Sequence, residues 1–393
     1  MKILILHNRY KFEGGEEAVV AAEADLLKKN ANKVVIFEIS NKDLDRYSIF
    51  RKILLPLQLI WSIESYRKVK DIIRKEKPDI VHAHNTFFLM SPSVYYACRQ
   101  EKVPVVQTLH NYRFICPLGT CYRDGEVCQE CLSKGLTKSI KYSCGAKSKL
   151  WLVSMLWILS LHYKNNTFKR FIDTYIALSN FSRKQFIAAG FDQERIKVKP
   201  NFISFDPGCG SKKSDFALYI GRFSPEKGVD VLLEAWKKLN HIPLKIIGGG
   251  NGFEDAEEFA KKHHINVEFL GQIDNKDVIE QIKKSLFVVV PSRCNENFPR
   301  IVVEAFACAK PIIASRSGAL AEIIEEGKTG LLFESGNSND LVDKVELMIK
   351  DKEINEKMGK NAREVCEKKY TEEKNYKILI DIYKETIHNY TAK

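Results

Sequence analysis

No stretch of this sequence is apolar for long enough to cross a bilayer. The most apolar run, LWLVSMLWILSL at 150–161, has 12 residues between Lys149 and the trio His162, Tyr163 and Lys164, whereas a spanning helix needs about 20. The start, MKILILHN, has neither the long apolar region nor the small-residue cleavage pattern of a secretory signal, so the chain is expected in the cytoplasm. No period of about 20 to 50 residues recurs, which argues against a repeat solenoid. No G-x-G-x-x-G fingerprint opens the first strand-to-helix loop. No strand carries the clustered aromatics of an RNA-recognition surface, so nucleic acid is not an expected partner. Only one C-x-x-C pair is present, Cys128 and Cys131, so spacing alone does not define a zinc site.

What remains is a regular alternation of buried-strand and amphipathic-helix patterns over 393 residues, long enough for two domains with sizeable cores. The expected class is α/β, with doubly wound parallel sheets. KPNFISFDPGCGSKKSD at 199–215 interrupts the apolar rhythm with Pro, Gly, Ser and charge, placing a boundary between 1–205 and 206–371. Glu372 to Tyr390 reads as a further helix, so 372–393 forms a closing segment. Charge divides at the same boundary. Residues 1–205 hold 33 Lys and Arg against 19 Asp and Glu, a net of +14, and residues 206–393 hold 29 against 31, a net of −2. A positive first half suits an anionic membrane surface or an anionic acceptor, or is ordinary solubilising charge.

Two segments of the second half carry chemistry. Leu218 to Ile220 ends a strand, GRFSPEKG follows at 221–228, and VDVLLEAWKKL continues as a helix. Gly221 and Gly228 permit close backbone approach or positive φ, and Arg222 and Lys227 supply a fork and a point charge for phosphate oxygens. Leu286 to Val290 then reads as a buried strand entering PSRCNENFPRIVVEAFACAKP at 291–311. Pro299 suits the first helical position, and free donors at that helix start attract an anion. Glu296 in the loop and Glu304 one turn inside the helix can both accept hydrogen bonds from ligand hydroxyls. An anion between two hydroxyl-binding carboxylates describes a nucleotide sugar. Taken alone, the same residues also describe a solvated loop Glu and a satisfied helix Glu.

The pair GRFSPEKG and PSRCNENFPRIVVEAFACAKPIIAS resembles the donor-binding half of retaining glycosyltransferases of family 4, which have the GT-B fold of two Rossmann-like domains facing a cleft. The resemblance implies that Arg222 and Lys227 hold the donor diphosphate, Glu304 the ribose and Glu296 the transferred sugar. It also places Gly221, Phe298, Arg300 and Ile301 in the donor site. Where the family often has glycines after the first glutamate, this chain has Asn297, Phe298 and Pro299. Proline cannot donate to phosphate, so backbone donors must come from Arg300 and Ile301.

The first half agrees with this resemblance. KILILHN at 2–8 is a strand, and RYKFEGGEEA leads into a helix. The resemblance gives Gly14, Gly15 and, more weakly, Glu16 the role of a loop closing over donor phosphates; a plain turn fits the same residues. His84 and His110 fall at the ends of two further strands, along the carboxyl edge where open α/β sheets bind ligands. His110 matches the family histidine near the reacting centre, whereas His82 reads as a structural group. The turn-rich insert from about 116 to 144 carries Cys116, Cys121, Cys128, Cys131 and Cys144. These are expected to be reduced in the cytoplasm, either as plain thiols or as a structural zinc site.

The resemblance implies a sugar transfer with retention, from a UDP-sugar in preference to a GDP-sugar, to a cell-surface glycan or lipid-linked acceptor. Cations replace a divalent ion, so no metal cofactor is required. Peripheral contact with an anionic membrane is expected from the basic half, and LWLVSMLWILSL and YSIFRKILLPLQLIWSIESYRKVK at 47–70 suit either an interface segment or, more simply, core helices. A nucleotide-sugar epimerase of the same architecture and a non-catalytic nucleotide-sugar or RNA-binding protein are the rival readings.

Overall fold

The structure, a computed structural model, describes residues 1–11, 14–136, 138–142, 144, 149–210 and 215–392. Its strands, in chain order, are β1 (Lys2–Arg9), β2 (Lys33–Ser40), β3 (Ile80–Asn85), β4 (Val105–Leu109), β5 (Tyr122–Arg123), β6 (Glu126–Val127), β7 (Thr174–Ala177) and β8 (Ile196–Val198). They continue as β9 (Ala217–Ile220), β10 (Leu244–Ile247), β11 (Val267–Gly271), β12 (Phe287–Val290), β13 (Ile312–Ser315) and β14 (Gly330–Phe333). The chain forms two compact units. Unit 1 comprises Met1–Gly119, Gln129–Pro200 and Asn375–Lys393; unit 2 comprises Thr120–Cys128 and Asn201–Lys374.

In unit 1 a six-stranded parallel sheet has the order β2-β1-β3-β4-β7-β8. Its central strands are buried along almost their whole length because helices cover both faces. Val20, Ala24 and Leu27 of the helix Gly15–Lys29 share one core with Ile3, Ile5, Ile80 and Val106. Leu379, Ile382 and Tyr383 of the last helix, Glu372–Thr391, join the same core. The chain leaves β1 for β2 on one side and resumes with β3 on the other. The crevice that receives ligands in such sheets therefore lies beyond the carboxyl ends of β1 and β3.

Unit 2 repeats the plan with the parallel order β11-β10-β9-β12-β13-β14. Here the strand order reverses between β9 and β12. The two loops at that switch point are 221–228 and 291–299, the segments singled out from sequence.

The contacts divide the chain differently from the sequence reading in two places. The boundary falls at 200/201 rather than 205/206, because Ile203 N donates to Tyr370 O (3.0 Å), Asn201 Nδ2 to Phe298 O (2.9 Å), and Asp206 pairs with Arg363 at 2.6 Å. Likewise the antiparallel hairpin β5–β6, at the centre of the cysteine insert, belongs to unit 2, where Tyr122 OH lies 3.4 Å from Pro225 O.

Residues 47–70 do not form a core helix. They break into Ile49–Ile53, Leu55–Ile60 and Ile63–Glu76, with Pro56 in the first turn of the second. Ser48 Oγ and Ser62 Oγ cap the first and third by accepting from Arg51 N (3.3 Å) and Ser65 N (3.2 Å). The helix Lys149–Lys164 does bury Met155, Leu156, Ile158 and Leu159, but leaves Val153, Trp157 and Leu161 exposed. Among the described residues no helix is long and apolar enough to cross a membrane.

Candidate functional site

At the unit 2 switch point, Lys227 ends a short 3-10 turn, Pro225–Lys227, and Gly228 follows with φ 69°. Only glycine fits there. A Cβ at Gly228 would collide with the carbonyl oxygen of Pro291, so this residue lets the two loops touch. Their backbones are also tied where Arg293 N donates to Glu226 O (2.9 Å). The result brings Lys227 Nζ to 2.6 Å from Glu296 Oε1, which also accepts from Ser292 Oγ at 2.7 Å. From the next strand end, Ala319 N donates to Glu296 O (2.9 Å), and Gly318, at φ 54°, approaches so closely that a Cβ would stand 2.7 Å from Glu296 N.

Pro299 takes the N-cap position rather than the first helical one, with extended φ/ψ, and the helix runs Arg300–Ala307. Arg300 and Glu304, one turn apart, pair at 2.8 Å, and Glu304 is buried. Phe298 packs edge-on against Tyr370, with centroids 5.5 Å apart, and Ile301 is buried, so both contribute structure through their side chains. Arg222 is exposed; its guanidinium is 4.0 Å from Glu226 Oε1. Gly221 N is held by Ile247 O at 3.0 Å and Phe223 N by Gly249 O at 2.9 Å, so the Gly248–Gly250 run supports this loop from beneath.

Burial pushes the Glu296 carboxyl up, but the charge and hydrogen bond of Lys227, then Ser292 and Arg222, bring it below its ordinary value. Burial lowers Lys227, and the Glu296 charge more than restores it. The two shifts agree: the pair is ionised across the neutral range. Arg222 acts electrostatically on both partners. Sequence reasoning missed Ser292 as a direct ligand of Glu296, and missed Gly318 and Gly248–Gly250 altogether. The signals were present: IIGGG puts glycine directly after an apolar strand, and IIASRSG puts one three residues past a strand end.

In unit 1 the switch point collects histidines. His110 Nε2 and His84 Nδ1 are 2.9 Å apart. Burial, followed by neighbouring positive groups, holds both well below the usual histidine value, so the pair is neutral at pH 7. His84 packs against His82 in a tilted arrangement with centroids 4.1 Å apart, and His82 is fixed by Tyr383 OH and Thr108 Oγ1, each at 2.7 Å. His7, at the end of β1, is buried with neither ring nitrogen hydrogen-bonded, and burial lowers it to about 4. One group of three potential metal ligands among the described residues comes within 4.8 Å: Glu23, His82 and His84. Lys199 already pairs with Glu23 at 3.1 Å, so this is a core network.

Gly14 caps the helix Gly15–Lys29: its N–H donates to Glu17 Oε2 at 2.8 Å, and Tyr10 N donates to Glu17 Oε1 at 2.9 Å. Gly15 is the first helical residue. Beside them Asn111 Nδ2 bridges Tyr10 OH (3.1 Å) and Glu16 Oε2 (3.4 Å), while Glu16 Oε1 is shut from solvent without a partner. Burial, and secondarily Glu17, push the Glu16 carboxyl up to about 8. The unfolded chain ionises Glu16 at its ordinary value and the folded protein only near 8, so Glu16 lowers stability as pH rises from about 4.5 to 8. The melting temperature is therefore expected to carry a downward component of a few degrees over that range, which Glu16→Gln removes. Calorimetric scans at stepped pH check this, and equal slopes for both proteins would contradict it.

Cys121 and Cys128 flank the hairpin in unit 2, with Cys128 N donating to Cys121 O at 2.7 Å. Cys116, Cys131 and Cys144 fall in unit 1, where Cys144 packs with Leu152 and Leu156.

Known proteins resemble this chain in sequence and in fold. Residues 13–206 match the family described as Glycosyltransferase Family 4, and residues 207–365 the one described as Glycosyl transferases group 1. The two matches lie end to end across nearly the whole chain, and the protein belongs to these glycosyltransferases. An uncharacterized glycosyltransferase of Methanocaldococcus jannaschii is 38% identical over 172 residues, 44% of this chain; the alignment spans about half of that relative, 48% of its length. The N-acetyl-alpha-D-glucosaminyl L-malate synthase of Bacillus anthracis is 26% identical over 340 residues, 84% of this chain and 79% of that protein. Among solved structures, Anabaena HepE in complex with UDP superposes with a TM-score of 0.65 at 20% identity, each chain covered to 100%. That likeness gives the fold: two Rossmann-like α/β units of the GT-B type.

Proposed function

We propose that the protein transfers a sugar from a nucleoside diphosphate sugar to a cell-surface glycan or lipid-linked acceptor, with retention at the anomeric carbon. The observation that carries this reading is the position of Arg222, Lys227, Glu296 and Glu304 on the two loops and adjoining helix of the unit 2 switch point. Open α/β sheets receive ligands there. On this reading Arg222, Lys227 and the first amides of Arg300–Ala307 hold the diphosphate and stabilise the charge that develops on it as the glycosidic bond breaks. Glu304 takes ribose hydroxyls and Glu296 takes the transferred sugar. In unit 1, His110, held by His84, is the group assigned to the transfer step. No divalent metal is required, because two cations and a helix start already oppose the diphosphate charge. UDP is favoured over GDP, since HepE was solved with UDP and with UDP-glucose.

Glu304→Ala is expected to weaken nucleotide binding by about ten- to a hundredfold, the worth of a hydrogen bond to a charged group. Glu296→Ala is expected to leave nucleotide binding near the parent value and reduce transfer. Titration calorimetry and a transfer assay on both variants separate the roles. Parent-like binding and activity in both would defeat the assignment.

A further inference from the structure

The helices after β2 expose side chains that folding would ordinarily hide. Ile49 is 81% exposed, Phe50 74%, Ile53 68% and Leu57 61%, and on the helix Lys149–Lys164 Trp157 is 63% exposed. These are the outward faces of neighbouring helices: Leu55–Ile60 packs against Lys149–Lys164, and His162 Nε2 is hydrogen-bonded to Ile60 O at 3.0 Å. Val153, Trp157 and Leu161 recur every fourth residue and so form one stripe on the second helix. Scattered apolar residues on a surface are ordinary, but adjoining helix faces of this composition mark an interaction site.

Charge identifies the partner. Segments 46–70 and 149–164 together carry eight Lys and Arg against a single acidic residue, Glu64. Glu64 is itself shared between Arg51 at 3.2 Å and Lys68 at 2.7 Å. A protein-binding groove has no need of so one-sided a rim, whereas short helices with aliphatic and aromatic residues outward and basic residues around them suit the boundary between headgroups and acyl chains. Trp61 and Trp157 are of the type enriched at that depth. Neither helix is long enough to enter further.

We infer that the exposed faces of Ile49–Ile60 and Lys149–Lys164 form a membrane-docking surface that seats unit 1 on an anionic bilayer. The apolar residues insert at the interface, and Arg46, Arg51, Lys52 and Lys164 contact lipid phosphates. The surface extends the acceptor part of the proposed function, which it rests on only for what the membrane presents; the docking itself is independent of donor chemistry.

Flotation of the full-length protein with phosphatidylcholine vesicles, with and without a third of phosphatidylglycerol, tests the assignment. Binding is expected to the anionic vesicles, to fall several-fold between 0.1 and 0.5 M salt, and to drop at least tenfold in Ile49→Ser/Phe50→Ser. Both substitutions are at exposed positions, so the melting temperature should hold. Ile354→Ser, an exposed apolar position in unit 2, serves as the control and should bind as the parent does. Trp157 fluorescence should be quenched by brominated acyl chains. Absence of binding, equal binding to neutral and anionic vesicles, unchanged binding in the double variant, or concentration-dependent dimers that mask the surface would each overturn the inference. UDP binding is measured on the same samples, so loss of docking with nucleotide binding intact counts against this surface and not against the donor site.

Discussion

Lys227→Ala is expected to lower kcat/KM for sugar transfer by about two to three orders of magnitude, the usual effect of removing one preorganised group that opposes charge developing in a transition state. The structure adds a second signature. Glu296 stays ionised because Lys227, 2.6 Å away, outweighs its burial. Without that cation, burial dominates and the Glu296 carboxyl rises. The acidic limb of the pH–rate profile is therefore expected to move to higher pH in the variant. A loss of affinity alone, with the profile unmoved, would indicate that Lys227 binds phosphate without tuning Glu296. Lys227→Arg keeps the charge but not the geometry of a point donor on Glu296, so it should recover only part of the rate.

The largest stability effect is expected far from this loop. Lys199 and Glu23 are both fully buried, and Lys199 Nζ bonds Glu23 Oε2 and Asn375 Oδ1, each at 3.1 Å. Asn375 in turn donates to Pro200 O at 2.7 Å, which anchors the last helix. Lys199→Met leaves a carboxylate buried without its cation, a loss of about 3–5 kcal/mol, or roughly 10 °C in melting temperature for a unit of this size. The double variant Glu23→Gln/Lys199→Met removes both charges and should recover most of the loss, since replacing a buried pair as a whole is often near neutral. Thermal scans of the two single variants and the double variant measure the coupling. Additive effects would show that the charges act separately.

The ease of reading this chain varied with the range of the interactions. The parallel strands were legible because burial on both faces turns them into apolar runs such as KILIL and LFVVV. The donor-side candidates were legible because glycine, proline and charge cluster directly after two of those runs. The strand orders that put these loops side by side were not legible, since pairing β9 with β12 rests on contacts between residues about 70 positions apart. The same holds for the hairpin β5–β6, which unit 2 takes from the middle of the unit 1 sequence. The hydrogen bond that ties it to the rest of unit 2, Tyr122 OH to Pro225 O, leaves no local trace. Ser292 and Gly318 were missed for a related reason. Each matters through its distance to Glu296, not through its own pattern. At 47–70 and 149–161 the apolar pattern suits an interface segment as well as a core helix, because a pattern records which face is apolar and not whether anything covers it.

Loops 221–228 and 291–299 are expected to hold a nucleoside diphosphate. Titration calorimetry of UDP, GDP and ADP, without added metal, against the intact protein and Glu304→Ala tests it most directly. The expected result is that one nucleotide, UDP first among them, binds the intact protein and loses at least tenfold in affinity for the variant. Absence of binding by all three nucleotides, or equal binding by both proteins, would contradict it.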